Sequence, residues 1–194
     1  MTALVLASTS RYRAELLARL GLAFTTASPG VDEAALPGEA PAQVALRLAE
    51  AKARAVAANH PGALVIGSDQ LAELDGRTLG KPGSVAAARA QLGACSGKVV
   101  NFHTALCVVD TRVAPPVARR AADCTRVVFR ALDAEAIARY VQAEQPLDCA
   151  GSFKAEGLGI ALFERIDSQD PTALVGLPLI ALARLLRECG LRLP

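Results

Sequence analysis

The chain has 194 residues, of which 52% are hydrophobic, and its 21 basic and 19 acidic side chains give a formal net charge of +2. This length suits one sizeable core, and the balanced, dispersed charge argues against a nucleic-acid polymer as partner and against an acidic tail. Five cysteines without a CxxC pair argue against a disulfide framework and a zinc site. We therefore expect one domain over residues 1–194 with reduced core cysteines.

The N-terminal residues lack the basic lead and the long apolar stretch of a secretory signal. The longest uncharged run, residues 171–183, is too short to cross a bilayer and contains two prolines and a glycine. We expect a cytoplasmic protein without a membrane partner.

Short apolar runs predict strands, and amphipathic stretches between them predict helices. The predicted strands cover residues 4–7, 23–26, 64–66, 99–109 and 125–130. The predicted helices cover residues 11–20, 41–59, 84–92, 133–143 and 179–189, with Pro41 in a first turn and Asp133 as a cap. Asp75 and Gly76 predict a tight hairpin turn. The order of elements predicts an α/β fold with a mixed sheet.

Polar residues follow the first predicted strand. Ser8 and Ser10 stand at the start of the next helix, where backbone N–H groups and the helix dipole favour anions, and Arg11 and Arg13 follow them. An arginine in a first helical turn can bind phosphate oxygens through two parallel hydrogen bonds. The alternative is that Ser10 only caps the helix and the arginines face water. This stretch alone does not decide between the two.

The third predicted strand is interrupted at Gly67, so Ser68, Asp69 and Gln70 are expected where the strand reaches the surface. Strand ends are where α/β proteins place their chemistry. The alternative for Asp69 is a turn cap.

Three other charged positions stand out. Glu33 follows Asp32 after the second strand, Lys52 lies in the middle of the second helix, and Lys81 stands between Gly80 and Pro82. Ordinary solvated side chains are the alternative for all of them.

These residue types together suit the hydrolysis of a nucleoside triphosphate. That reaction needs cations to neutralise the phosphate chain, carboxylates to hold a divalent metal, and a carboxylate to orient or deprotonate water. The chain has no GxxxxGK[ST] loop, and its EGLGI glycines do not lead from a strand into a dinucleotide-binding helix. Neither a P-loop NTPase nor a Rossmann oxidoreductase fits.

Seven motifs occur in order over nearly the whole chain: LASTSxYRxxLL, VDE, LRLAEAKA, IGSDQ, GKP, AGSFKAEGLG and VGLPL. Jointly they resemble the Maf-like nucleotide pyrophosphatases. The resemblance implies an α/β fold related to the inosine triphosphate pyrophosphatases, with an elongated mixed sheet flanked by helices, a central cleft and often a homodimer. It also implies hydrolysis of a nucleoside triphosphate between the α and β phosphates, giving monophosphate and pyrophosphate, with Mg²⁺ or Mn²⁺.

The resemblance also implies roles for individual residues. Asp69 would be the general base or water-orienting acid, and Glu33 would be a metal ligand assisted by Asp69. Phosphate contacts would come from Ser8, Ser10, Arg13, Lys52 and Lys81.

Tyr12, Gln70 and Glu156 depart from the pattern of relatives that act on dTTP and UTP, and they resemble the subgroup that acts on 7-methyl-GTP. A carboxylate such as Glu156 can accept both N1–H and N2–H of guanine, whereas thymine and uracil present one donor on that edge. Methylation at N7 makes the purine positive, so stacking on Tyr12 gains a cation-π contribution. Gln70 has an amide to donate near O6 or the N7 side.

The alternative for Tyr12 is a half-buried helix aromatic, and for Glu156 a surface loop acid. At the level of function, two alternatives stay open. One is a pyrophosphatase of dTTP and UTP, and the other is a noncatalytic nucleotide-binding regulator of septum formation.

Overall fold

A computed structural model describes residues 2–193 of the chain. The strands in this part are β1 (Ala3–Leu6), β2 (Thr25–Thr26), β3 (Ala63–Leu74), β4 (Arg77–Leu79), β5 (Val99–Asp110), β6 (Val117–Phe129) and β7 (Phe163–Asp167). The α-helices are α1 (Arg11–Ala18), α2 (Pro41–Ala57), α3 (Val85–Cys95), α4 (Ala134–Glu144) and α5 (Leu179–Glu188). No helix in residues 2–193 is long and apolar enough to span a membrane.

The strands form one seven-stranded sheet in the order β2-β1-β3-β5-β6-β7, with β4 paired to β3. β1 is parallel to both β2 and β3, and Leu4 lies opposite Leu64. β4 is antiparallel to β3, and β7 is antiparallel to β6. The prediction of a mixed α/β sheet is therefore confirmed, while the cleft and the homodimer that the resemblance implied stay predictions.

The chain divides into two compact units. Of the described residues, the first unit holds 2–70, 104–123 and 170–193, and the second holds 71–103 and 124–169. The long strands β3, β5 and β6 contribute residues to both units. The prediction of one domain over 1–194 stays a prediction.

The core of the first unit is aliphatic. Alternate residues of the central strands, such as Leu4, Leu64 and Leu106, pack against leucines of α1 and α5. The pattern arises because residues two apart share one face of a strand and residues three or four apart share one face of a helix. Burying this surface is the main term that stabilises the unit.

The second unit has an aromatic core. The rings of Phe102, Phe129, Phe153 and Phe163 pack edge to face, with centroid separations between 4.8 and 5.7 Å. Edge-to-face pairs match the positive rim of one ring to the negative face of the next. This cluster packs against Gly151, where an added Cβ would lie 3.1 Å from the Phe102 ring.

Two predicted strand boundaries were wrong. β3 does not surface after Gly67 but continues to Leu74, because its end pairs with β4 through the tight turn at Asp75 and Gly76. β6 begins at Val117, eight residues before the predicted Thr125, since its first half is polar and exposed on alternate positions and carries no continuous apolar signal. Asp69 thus lies inside a strand, not at a strand end.

The cysteine prediction was partly wrong. None of the five cysteines, all within residues 2–193, forms a disulfide, and Cys95, Cys107 and Cys189 are buried as expected, but Cys124 is exposed and Cys149 is partly buried. Burial raises the pKa of Cys95 to about 11 and that of Cys107 to about 12, so both thiols stay protonated and unreactive at neutral pH.

Candidate active site

A buried lysine joins two carboxylates in the first unit. Lys52 Nζ lies 2.6 Å from Asp69 Oδ1 and 2.6 Å from Glu33 Oε1. Lys52 is 5% exposed and Asp69 is 7% exposed, whereas the Glu33 side chain is 64% exposed. One buried and one solvent-facing carboxylate therefore meet at a single ammonium group.

Gly67 explains how Lys52 reaches Asp69. A Cβ at Gly67 would lie 2.2 Å from the Ala49 carbonyl oxygen and 2.6 Å from the Ala53 nitrogen, so only glycine lets α2 approach β3 this closely. Asp69 is two residues beyond Gly67 on the same face of β3, and Lys52 lies between Ala49 and Ala53 in α2. The close contact of helix and strand thus places the ammonium beside the carboxylate.

Burial tunes the electrostatics of Asp69. Loss of water raises the pKa of Asp69 above its ordinary value, and Glu33 adds to this rise, while Lys52 and Arg13 oppose it. The second oxygen, Oδ2, accepts no hydrogen bond from the part of the chain that the structure describes. Asp69 is thus a fixed carboxylate with elevated basicity and one oxygen available to accept a proton.

Arg13 is held beside this acid pair. Its Nε donates to the Gly176 carbonyl at 3.0 Å, and its Nη1 lies 3.4 Å from Ser8 Oγ. Loss of water lowers the pKa of Arg13, while the charges of Asp69 and Glu33 raise it. Nη2 makes no hydrogen bond within residues 2–193, so the guanidinium keeps donor capacity for a ligand.

The two predicted serines organise the start of α1. Ser10 is the N-cap, and its Oγ accepts the Arg13 N–H at 3.4 Å, as the capping alternative expected. Ser8 is buried, and its Oγ accepts the Ser10 N–H at 3.1 Å. Both hydroxyls therefore stabilise the first turn from which Arg13 projects.

Tyr12 and Gln70 already have protein partners. The Arg11 guanidinium carbon lies 4.8 Å from the centre of the Tyr12 ring, and its Nη2 donates to Tyr12 Oη at 2.8 Å. Gln70 Nε2 lies 2.8 Å from Thr104 Oγ1 and 2.9 Å from the Ala173 carbonyl oxygen. The donor side of Gln70 thus faces the protein, and its Oε1 is the atom left to contact a base.

Sequence reasoning missed one structural anchor. The Gly176 carbonyl accepts from Arg13 and lies 3.0 Å from Ser68 Oγ, so it fixes the residue next to Asp69 as well. Gly176 has φ of +119°, a conformation that favours glycine. The only signal was the VGLPL motif, which gave no partner for the carbonyl.

Lys81 and Glu156 belong to the second unit. Lys81 is exposed, and the neighbouring Gly80 carbonyl accepts a hydrogen bond from Gln91 Nε2 at 3.0 Å. Glu156 is exposed on a loop that α4 holds, because Glu144 Oε2 accepts the Leu158 N–H at 2.8 Å and Tyr140 Oη accepts the Lys154 N–H at 3.1 Å. The loop that carries Glu156 is thus tied to the helix at two points.

The donor set suits a hard divalent cation only in part. Glu33 and Asp69 both contact the Lys52 ammonium, and two neighbouring carboxylates match the one or two that Mg²⁺ takes alongside phosphate oxygens and water. Residues 2–193 contain no group of three or more His, Cys, Asp and Glu side chains that could hold a metal ion. The carboxylate pair therefore fits a metal that also binds the substrate.

Comparison with known proteins identifies the family. The family model described as "Maf-like protein" matches residues 3–189. This chain belongs to the Maf family. It is 60% identical over 194 residues, 100% of both chains, to a protein of Xanthomonas oryzae pv. oryzae (strain MAFF 311018) named "7-methyl-GTP pyrophosphatase".

Further relatives of this Maf protein carry the same name. It is 58% identical to one from Aromatoleum aromaticum, over 98% of this chain and 97% of the relative, and 57% identical to one from Bordetella pertussis, over 97% and 92%. A solved structure, "The structure of the Staphylococcus aureus Ham1 protein", aligns with TM-score 0.44 and 16% identity over 66% of this chain and 72% of that one. The predicted family and subgroup are confirmed by the sequence matches.

The structure brings five of the predicted site residues of this Maf protein near one another: Ser8, Arg13, Glu33, Lys52 and Asp69. Ser10, Tyr12 and Gln70 lie in the same unit, while Lys81 and Glu156 lie in the other. The catalytic, phosphate-binding, base-binding and metal-binding roles of all ten residues stay predictions.

Proposed function

We propose that this Maf protein is a nucleoside triphosphate pyrophosphatase that hydrolyses 7-methyl-GTP to 7-methyl-GMP and pyrophosphate. The observation that carries this proposal is the buried Asp69 carboxylate, which Lys52 holds at 2.6 Å beside Glu33 and Arg13. The names of the relatives with 57 to 60% identity support the activity and the substrate. The enzyme is a hydrolase that acts on the α-β phosphoanhydride bond.

In this proposal Asp69 accepts the proton of the attacking water at Oδ2, while Oδ1 stays bound to Lys52. A carboxylate with a raised pKa is a stronger base than an exposed aspartate, and proton acceptance in the transition state contributes about 10²- to 10⁴-fold to the rate. Burial raises the pKa of Asp69, and the charges of Lys52 and Arg13 oppose that rise.

Cationic and hydroxyl groups bind the phosphate chain. Arg13 contributes its free Nη2, Ser8 and Ser10 contribute hydroxyls at the start of α1, and Lys52 and Lys81 contribute ammonium groups. Fixed cations stabilise charge that develops on the leaving pyrophosphate. Glu33 and Asp69 would hold Mg²⁺ or Mn²⁺, which when bound neutralises charge on the phosphate oxygens.

The base is recognised by Glu156, Tyr12 and Gln70. Glu156 accepts the N1–H and N2–H groups of guanine, and Tyr12, whose ring already receives the Arg11 cation, stacks with the positively charged methylated purine. Gln70 contributes Oε1, because its Nε2 is bound to Thr104 and to main-chain carbonyls. A cytoplasmic location and a homodimeric state belong to the same proposal.

The proposal is tested by measuring product formation on 7-methyl-GTP, GTP, dTTP and UTP with Mg²⁺ or Mn²⁺. The expected result is equimolar monophosphate and pyrophosphate, with the highest kcat/KM on 7-methyl-GTP. Highest activity on dTTP and UTP would support the alternative substrate class. Absence of pyrophosphate from every nucleotide would overturn the enzymatic proposal and favour a nucleotide-binding regulator.

A further inference from the structure

The segment from Asp170 to Ile180 carries the main-chain carbonyls that hold predicted substrate-binding side chains. Gly176 O accepts from Arg13 Nε at 3.0 Å, while Ala173 O and Leu174 O lie 2.9 and 3.1 Å from Gln70 Nε2. One loop thus orients a phosphate-binding cation and a base-binding amide. The position of these carbonyls depends on what fixes the loop.

Asp170 and Thr172 fix the conformation of this loop. Asp170 is 3% exposed and Thr172 is 8% exposed. Asp170 Oδ1 accepts the Thr172 N–H at 3.0 Å and lies 2.6 Å from Thr172 Oγ1, and Asp170 Oδ2 accepts the Ile180 N–H at 2.7 Å. These hydrogen bonds are largely shielded from water, and they connect the start of the segment to its end at Ile180.

Thr172 makes further hydrogen bonds through its hydroxyl. Its Oγ1 accepts the Leu179 N–H at 2.8 Å and lies 2.9 Å from the Leu177 carbonyl oxygen. The two side chains therefore bind N–H groups in the first turn of α5, which has no side-chain cap from Pro178 itself. The same contacts set the direction of the peptide groups between residues 173 and 176.

We propose that Asp170 and Thr172 are positioning residues, which act through the carbonyls of residues 173, 174 and 176 to orient Arg13 and Gln70 toward the nucleotide. This inference rests on the proposed function of Arg13 and Gln70. It goes beyond a capping role for α5, because a cap alone affects stability and leaves the kinetics of the folded enzyme unchanged. Misplacement of binding groups by about 1 Å costs up to about a hundredfold in rate.

The test compares Thr172→Val, which removes the hydroxyl at similar volume, with Thr172→Ser, which keeps it. On 7-methyl-GTP, well below the unfolding temperature, Thr172→Val is expected to lower kcat/KM by about ten- to a hundredfold, mainly through KM, and Thr172→Ser to restore it. Asp170→Asn provides a second variant if Thr172→Val does not fold. Thr111→Val, which removes a hydroxyl that bonds His60 and Ala63, is the matched control and should lower stability without changing KM.

A double-mutant cycle with Arg13→Lys identifies the route of the effect. If Thr172 acts through Arg13, its loss costs much less in the Arg13→Lys background than in the wild type, because contacting or networked residues are not additive. Unchanged kinetics in Thr172→Val, or fully additive effects in the cycle, would overturn the positioning role. An inactive wild type would overturn the proposed function instead, so the two failures are distinguishable.

Discussion

Two opposing influences act on the pKa of Asp69. Burial raises its pKa, and the ammonium of Lys52 at 2.6 Å lowers it. Because the pKa is higher in the folded state than in the unfolded chain, the contribution of Asp69 to stability is fully present below the unfolded pKa and is lost as pH rises through the folded value. The stabilising partners Lys52 and Arg13 limit this loss.

These opposing influences predict that two substitutions shift the pKa of Asp69 in opposite directions. In the metal-free protein, the Asp69 carboxyl should titrate above the ordinary range for aspartate. Lys52→Met removes a cation and should raise that pKa further, whereas Glu33→Gln removes a like charge and should lower it. NMR titration of the Asp69 carboxyl carbon measures this pKa in the wild type and in both variants. Shifts of the same sign in both variants would contradict this account of the site.

The choice of base is a second prediction at this scale. Glu156→Gln should reduce the preference for 7-methyl-GTP over dTTP by about 1 to 3 kcal/mol, since a charged hydrogen bond to guanine is lost. The measurement is the ratio of kcat/KM values on the two nucleotides. Glu164→Gln, at an exposed acid of β7, is the matched control. An unchanged ratio in Glu156→Gln would remove Glu156 from base recognition.

The contact of α2 with β3 positions Asp69 and Lys52. Gly67→Ala would place a methyl group 2.2 Å from a main-chain oxygen of α2, so the helix must move away. We expect a loss of about 1 to 3 kcal/mol in the free energy of unfolding. A lower kcat should accompany it, because Lys52 moves with the helix.

The control for this prediction is Gly93→Ala in α3, where an added Cβ meets nothing within 4 Å. Replacing a helical glycine by alanine there should stabilise the protein by roughly 0.5 to 1 kcal/mol. Urea unfolding of both variants gives the comparison. Equal stability of the two variants would show that α2 and β3 are not in close contact at Gly67.

The sequence predicted the mixed sheet and most of the order of elements, because apolar periodicity and turn residues are local signals, but it did not predict β7 at Phe163–Asp167. The helix over residues 41–59 and the turn at Asp75 and Gly76 are examples of such local signals, and the structure has α2 at Pro41–Ala57 and positive φ at both turn residues. The unbroken course of β3 through Gly67 to Leu74 was not predicted, although the hairpin turn was. Glycine weakens the local strand signal, and pairing with β4 stabilises the strand beyond it.

The difference between local signals and tertiary contacts also holds for the candidate active site. Residue types and motif order predicted Asp69, Lys52 and Glu33, and the structure joins them at one ammonium group. Gly67 lies close to main-chain atoms of Ala49, and the Gly176 carbonyl accepts from the side chain of Arg13, so both roles depend on residues distant in the chain. Sequence patterns identify side chains that are capable of catalysis or binding, but close approaches of the main chain emerge only from tertiary packing.

The most direct measurement of the central claim compares turnover and binding in Asp69→Asn. If Asp69 accepts the proton of the attacking water, kcat on 7-methyl-GTP should fall by about 10²- to 10⁴-fold while the Kd for the nucleotide changes only a few-fold. Asp32→Asn, at an exposed acid whose Oδ1 caps the Ala34 N–H, is the control and should retain activity. An Asp69→Asn enzyme with near wild-type kcat would contradict the assignment of Asp69 as the base.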